Sequence, residues 1–211
     1  MRFFQLLAAV FLAFAFPSRA EWRGVINDPD GFTNVRAKES TDAPIVGKIV
    51  AGKVFEFDST TSGFSTWVKV SLPGGKSGWV HASRVRMYAN IDEIATDGGA
   101  NDEINIYGRG KKLDYYPLAR AAARGEAKSL QRYLAIDDTD GGAAETHYEV
   151  LRLVIHILGD EKLAKFLSGQ SAKDRAKVSE SITSELVTYP FEPKAYLARN
   201  FPKTVKALQA R

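Results

Sequence analysis

The sequence predicts an α+β protein in which a small N-terminal β-barrel is followed by a separate all-α helical domain. In the first part, apolar residues recur at every second position, as at Val68 and Val70, and Gly and Pro interrupt the chain at short intervals. This pattern is typical of short antiparallel strands joined by tight turns. Beyond residue 113 the period changes to that of helices, as at Leu130, Tyr133 and Leu134.

The first 20 residues have the three parts of a secretory signal peptide. Arg2 provides the charged start, residues 6–16 are apolar, and Ser18-Arg19-Ala20 places small residues at the cleavage positions. The apolar stretch is about 11 residues long, well below the roughly 20 that a membrane-spanning helix needs, so no retained transmembrane anchor is expected. We therefore predict an exported protein, periplasmic or extracellular, whose mature chain begins near Glu21.

The composition of the chain excludes cysteine chemistry and argues against a nucleic-acid partner. The sequence contains no cysteine, which excludes disulfides and a thiol nucleophile. Its formal net charge is +4 at pH 7, and basic residues are mixed with acidic ones along the chain. A nucleic-acid partner is not expected, because it would require a patch of one sign.

Five short strands are predicted at 32–36, 44–50, 54–57, 66–72 and 77–80. A dense turn signal at 27–31 precedes them, since Pro presets its own backbone angle and Gly accepts positive φ at little cost. Residues 73–76 close the last hairpin. Five strands in about 60 residues fit a compact, partly open barrel, which we assign to residues 21–88.

Several motifs in this region occur in a characteristic order. They are Asp-Gly-Phe-Thr-Asn-Val-Arg at 30–36, Ile-Val-Gly at 45–47, Gly52, Trp-Val-Lys-Val at 67–70 and Gly-Trp-Val-His at 78–81. Together they closely resemble the bacterial SH3 domain, over about residues 25–86. The resemblance implies an export-associated binding module that holds peptidoglycan or protein ligands and carries out no chemistry itself.

Strand alternation places two tryptophans on the outer side of the predicted barrel. If Val68 and Val80 face the core, Trp67 and Trp79 face outward. An indole ring combines a large contact area with a hydrogen-bond donor at one end, so the pair is a candidate ligand platform. The alternative is that the two rings pack on each other or are covered by the helical domain.

Residues 78–85 also resemble the final strand and short helical turn of eukaryotic SH3 domains. However, His81 stands where the groove proline usually is, and Arg84 stands where the groove tyrosine usually is. Proline-rich ligands dock on flat apolar ridges, so we do not expect such recognition here. Arg84 beside Trp79 suits a ligand with carboxylates, such as a wall stem peptide or an acidic protein loop, unless Arg84 is simply solvated. The candidate ligand-binding residues are Phe32, Trp67, Trp79, His81 and Arg84.

Residues 89–112 are acidic, contain several glycines and have only scattered apolar residues. This composition predicts a linker, with a candidate short strand at 104–107. A metal site among its carboxylates is the alternative to a solvated spacer.

The helical domain is predicted at residues 113–211. We expect a helix pair around Gly125, a central buried helix capped by Thr146, and one helix over 171–187. Gly125 and Gly159 lie 34 residues apart, about the period of two-helix repeats. The sequence Ala-Ala-Ala-Arg-Gly-Glu at 121–126 resembles the helix-turn-helix of an ankyrin repeat, although the second unit lacks the threonine-proline-leucine-histidine opening.

The residues that could carry chemistry do not form a recognised catalytic or metal motif. His147 and His156 are nine residues apart and lie on opposite sides of one helix, so they cannot share an ion. The segment 137–141 resembles a calcium loop, but Ile136 and His147 occupy the end positions that require Asp and Glu. We therefore expect no catalytic residue, no metal and no cofactor.

The function predicted from the sequence is that of an exported, non-catalytic binding protein, whose partner is a peptidoglycan peptide or an envelope protein. One alternative is a structural or assembly protein of the cell envelope that acts through its helical domain. Another is a cell-wall hydrolase or an accessory of such an enzyme.

Overall fold

The computed structural model describes residues 21–58, 66–88, 90–99 and 101–210. The predicted signal peptide at 1–20 lies outside these residues. In the described ranges seven β-strands precede nine α-helices, which confirms the predicted α+β class and its order of β before α. No helix in these ranges is long and apolar enough to cross a membrane.

The strands form two antiparallel sheets, with the orders β4-β1-β7 and β3-β2-β6-β5. Their bounds are β1 Glu21–Ile26, β2 Phe32–Arg36, β3 Ile45–Val50, β4 Val54–Asp58, β5 Trp67–Ser71, β6 Ser77–His81 and β7 Val85–Tyr88. The strands β2 to β6 are the five that alternation predicts. A short 3-10 turn at Ala82–Arg84 leads into β7.

The barrel core is filled by inward side chains from both sheets. Its buried members are Ile26, Val35, Ile49, Phe57, Val68, Val70 and Val80. Gly78 lets β6 approach β2 closely, because a Cβ atom there would lie 2.5 Å from Cγ1 of Val35 and 2.7 Å from the carbonyl oxygen of Arg36. A larger residue at this position would separate the two strands that build the outer face described below.

The helices are α1 Ile91–Gly98, α2 Glu103–Gly110, α3 Tyr115–Arg124, α4 Ala127–Leu134, α5 Gly141–Ser168, α6 Ala172–Ile182, α7 Glu185–Thr188, α8 Pro193–Asn200 and α9 Pro202–Gln209. α5 is the buried centre, as predicted, and Val150, Val154 and Ile155 are inaccessible to solvent. Gly125 makes the turn between α3 and α4 with φ of 89°. The predicted helix pair around it is therefore confirmed.

The segment predicted as a linker instead folds into α1 and α2, and the strand predicted at 104–107 is wrong. Asn90 and Asp102 cap the two helices through their side chains, and acidic residues occupy both first turns. Carboxylates are favourable there because they complement the helix dipole. The acidity of this stretch thus marks two helix starts, and Ile104 anchors α2 in the core with no exposed surface.

Two further boundaries differ from the prediction. The central helix α5 begins at Gly141 with Asp140 as its N-cap residue, so the predicted start at Thr146 is wrong. Helix propensity argues against Gly141-Gly142 as a first turn. The backbone of Gly142 nevertheless lies close to α2, since a Cβ atom there would be 2.7 Å from Oε2 of Glu103. The single helix predicted over 171–187 is also wrong, because Ser184 caps a separate helix α7.

The core of the helical part extends into the barrel, which also has a core of its own. Val25 of β1 and Tyr88 of β7 are buried in the cluster formed by the helices. In addition, Asn200 of α8 donates to the carbonyl oxygen of Gly52 at 2.9 Å and accepts from the amide of Val54 at 3.3 Å. The turn between β3 and β4 is thereby held against α8.

Candidate functional site

The outer face of the four-stranded sheet carries the predicted tryptophans. Val68 and Val80 have no exposed surface, whereas Trp67 and Trp79 are half-buried on the opposite side of their strands. The predicted alternation is therefore confirmed. Trp67 lies opposite His81 in the β5–β6 pair, and Trp79 lies opposite Lys69.

Four of the five predicted ligand-binding residues line one groove of about 430 Å³. These four are Phe32 at the start of β2, Trp67 at the start of β5, His81 at the end of β6 and Arg84 in the 3-10 turn. The groove is also lined by Asp28, Asp30, Thr33, Asn34, Arg36, Thr41 and Ser83. Residues from three separate parts of the chain therefore converge on it.

Trp67 and His81 form one wall of the groove. Their ring centroids are 5.2 Å apart and the planes are nearly perpendicular, at 84°. Nδ1 of His81 accepts from the backbone amide of Ser83 and lies 2.7 Å from its Oγ. Because Nδ1 accepts these bonds, the neutral ring carries its proton on Nε2, which can donate to a ligand.

Arg84, which also lines the groove, is held by a residue that the sequence analysis missed. Nη1 of Arg84 lies 3.3 Å from Oδ1 of Asp28, whose side chain is only 5% exposed, while the Arg84 side chain is 41% exposed. The same Asp28 oxygen accepts from the backbone amide of Asp30 at 3.0 Å. The Asn-Asp-Pro-Asp-Gly turn signal could have indicated this carboxylate, but not its partner.

Asn34, in the middle of β2, is a second residue that the sequence analysis missed. Its side-chain oxygen is buried, and no described residue hydrogen-bonds to it. An unpaired buried acceptor costs about 1–3 kcal/mol. Asn34 therefore brings to the lining of the groove a buried acceptor that is unsatisfied within the described residues.

Trp79 lies outside the groove, in a neighbouring patch of the same face. Its register partners are Lys69 and Arg36, and Nζ of Lys69 lies 5.9 Å from the centre of its ring. Arg36 also donates to the carbonyl oxygen of Ala43 at 2.9 Å. The two tryptophans thus occupy two different environments rather than a single platform.

The comparison with protein families agrees with this geometry. Residues 31–86 match the bacterial SH3 domain. The match covers β2 to β6 and includes all five predicted ligand-binding residues, whereas the helices lie beyond it. A comparison with curated proteins gives no match. Since bacterial SH3 domains are a family of binding modules, the groove is the site of interest.

The helical part contains a buried histidine, His147, and a half-buried one, His156, each within reach of a tyrosine hydroxyl. Nδ1 of His147 lies 3.0 Å from the hydroxyl of Tyr115, which in turn lies 3.0 Å from that of Tyr133. Nε2 of His156 lies 2.6 Å from the hydroxyl of Tyr196. Burial lowers the pKa of His147 to about 4 and is the main reason that the pKa of His156 falls to about 3.

The segment that resembles a calcium loop has its carboxylates directed to different cations. Asp137 accepts from Nζ of Lys177 at 3.0 Å, and Asp138 binds the side chains of Tyr107 and Lys111. The Asp138 pKa is lowered, first by the hydrogen bond from Lys111. These carboxylates join α2 and α6 to the start of α5.

Proposed function

We propose that this protein is an exported, non-catalytic binding protein whose bacterial SH3 domain holds a peptide of peptidoglycan or of an envelope protein. The observation that carries this proposal is the groove. Phe32, Trp67, His81 and Arg84 line it together with Asn34, whose buried oxygen has no partner among the described residues.

The groove's composition indicates the chemistry of the ligand. Phe32 and Trp67 offer apolar ring surface, and Arg84 keeps donors free for a carboxylate. Asp30 adds a negative charge on the same rim. A peptide that carries a carboxylate, an amino group and backbone N–H groups matches this arrangement, as a wall stem peptide does.

The polar groups at the rim of the groove are held by neighbouring residues. Nδ1 of His81 accepts from the backbone amide of Ser83 and lies 2.7 Å from its Oγ. Asp28 is paired with Arg84. The side chains that line the groove are therefore arranged to hold a ligand in place.

Replacing Trp67 by alanine tests the proposal, with Trp79→Ala as the matched control. Both changes remove an indole from the same sheet face, but only Trp67 lines the groove. We expect Trp67→Ala to weaken binding to purified peptidoglycan or to an affinity-purified envelope partner about 30-fold, as for a central aromatic contact. Trp79→Ala should change the affinity by less than about threefold, which is the effect expected for a residue at the rim of an interface. Co-sedimentation and titration measure both, and an equal loss from the two variants would contradict the assignment of the groove.

Asn34→Val gives a second prediction for the same site. The substitution removes the unpaired oxygen and introduces a strand-favouring side chain, so we expect the free energy of unfolding to rise by about 1 kcal/mol. Ligand binding should weaken about fivefold, the value of one hydrogen bond. Chemical denaturation and the binding titration measure the two effects. Unchanged binding would show that the ligand does not reach Asn34.

A further inference from the structure

A second, larger opening lies between β3 and β4 and shares no lining residue with the groove. Its volume is about 720 Å³. β3 and β4 are joined by the short turn at 51–53, but they diverge into different sheets. Among the described residues, β3 pairs only with β2 and β4 pairs only with β1. We call the opening between them the β3–β4 crevice.

The edge strand β3 exposes three apolar side chains, of which Val50 lines this crevice. Ile45 is 51% exposed, Val46 is 38% exposed and Val50 is 48% exposed. A sheet edge that presents unpaired backbone groups and β-branched side chains can accept an additional strand. The edge of β3 therefore has the backbone and side-chain features of a peptide-binding edge.

The walls of the crevice are apolar and its rim is basic. Val54, Phe55 and Leu72 line the inside, and Lys48 and Lys53 are exposed beside them. The carboxylate among the lining residues is Glu56, which Arg23 already binds at 2.5 Å. Within the described ranges, neither Lys48 nor Lys53 has a carboxylate within ion-pairing distance.

We propose that the β3–β4 crevice binds an extended acidic segment of a partner protein, which adds as a strand to the edge of β3. Acidic side chains of the segment pair with Lys48 and Lys53, and its apolar side chains contact Val50 and Leu72. A second copy of β3 fits less well, because a lysine in the middle of this edge opposes pairing with another positively charged strand. This proposal does not rest on the groove proposal, although the two sites adjoin, because Nζ of Lys48 lies 4.1 Å from the centre of the Phe32 ring that lines the groove.

Three labelled hexapeptides test the proposal by fluorescence anisotropy with the full mature chain. One alternates Glu and Val, the second alternates Lys and Val, and the third is the Glu-Val peptide with every second amide N-methylated. We expect the Glu-Val peptide to bind and the Lys-Val peptide to bind at least about tenfold more weakly. The N-methylated peptide should lose binding to a similar degree, about tenfold or more, because it cannot complete the ladder of backbone hydrogen bonds. Equal binding of the methylated and unmethylated peptides would overturn strand addition.

Charge reversal at Lys53 provides the protein-side test. Lys53→Glu should weaken binding of the Glu-Val peptide about tenfold and strengthen binding of the Lys-Val peptide. Lys128→Glu makes the same charge change at an exposed position of α4 and should leave both affinities within about twofold, as for a remote charge. If Lys53→Glu behaves like Lys128→Glu, the crevice is not the binding site.

Two further measurements separate this site from its alternatives. Trp67→Ala should leave binding of the Glu-Val peptide unchanged, because Trp67 lines the groove and not the crevice. Failure of the groove proposal can therefore be distinguished from failure of the crevice proposal. Sedimentation of the unliganded chain should show a monomer. Self-association that Val50→Asp abolishes would instead assign this edge to a second copy and overturn the proposal.

Discussion

Tyr88→Ala is expected to lower the free energy of unfolding by about 3–5 kcal/mol, the usual cost of removing a large buried aromatic side chain. Tyr88 ends the last barrel strand, is only 4% exposed and belongs to the core cluster of the helices. The guanidinium of Arg152 lies 4.6 Å from the centre of its ring. Truncation would remove this stacking and open a cavity where the two parts of the chain meet.

Tyr88→Phe is the control, because it keeps the ring and its contact with Arg152. We expect it to remain within about 1 kcal/mol of the wild type, since only a hydroxyl is removed. A loss from Tyr88→Phe as large as that from Tyr88→Ala would show that the hydroxyl, not the packed ring, carries the stabilisation.

The same variants test whether the barrel and the helices unfold together. The sequence has three tryptophans, at positions 22, 67 and 79, and none in the helical part, so their fluorescence reports on the barrel. Far-ultraviolet circular dichroism reports mainly on the helices. Because Val25 and Tyr88 are buried among the helices, the two signals should change at one denaturant concentration and move together in Tyr88→Ala. Two separate transitions would mean that the contacts of Val25 and Tyr88 with the helices do not couple the unfolding of the barrel to that of the helices.

Much of the barrel could be predicted because its evidence is local. The alternation around Val68 and Val80 has a period of two, which can be recognised within a single strand. It correctly assigns Trp67 and Trp79 to the outer face. Whether these two rings share a site depends on register between strands, which the sequence does not contain. As a result the single platform predicted from them divides into a groove at Trp67 and a separate patch at Trp79.

The residues missed by the sequence analysis owe their importance to tertiary contacts. Asn34 looks like any outward polar residue of a strand, and only its burial without a partner distinguishes it. Asp28 looks like a turn residue until Arg84 is placed beside it. The acidity of the stretch at 89–112 predicts a solvated linker, whereas Asn90 and Asp102 act as helix caps, which makes their positions the more informative feature.

The second large effect that we expect is a loss of folding stability at low pH. His147 is buried and His156 half-buried in the folded chain, and their pKa values are lowered to about 4 and about 3, against about 6.5 in an unfolded chain. Below pH 6.5 the unfolded state therefore binds protons that the folded state does not, so stability falls as the pH falls. The loss continues until the pH reaches the folded pKa values.

The size of this effect follows from proton linkage. Each histidine contributes a slope of up to about 1.4 kcal/mol per pH unit, and roughly 3 kcal/mol in total between pH 6.5 and 4. Two such losses are comparable with the entire stability of a typical domain, which is about 5–15 kcal/mol. We therefore expect the protein to be fully stable above pH 6.5 and to unfold in the range between that pH and 4.

Single substitutions should identify the histidines as the cause. His147→Leu and His156→Phe each remove one titrating group, so each should lower the slope of unfolding free energy against pH by up to about 1.4 kcal/mol per unit. Tyr133→Phe is the matched control, because it removes a hydroxyl from the network around His147 without removing the imidazole. It should lower stability by a similar amount at every pH and leave the slope unchanged. If the slope between pH 6.5 and 4.5 in both histidine variants equals that of the control and of the wild type, these two imidazoles are not the cause of the acid sensitivity.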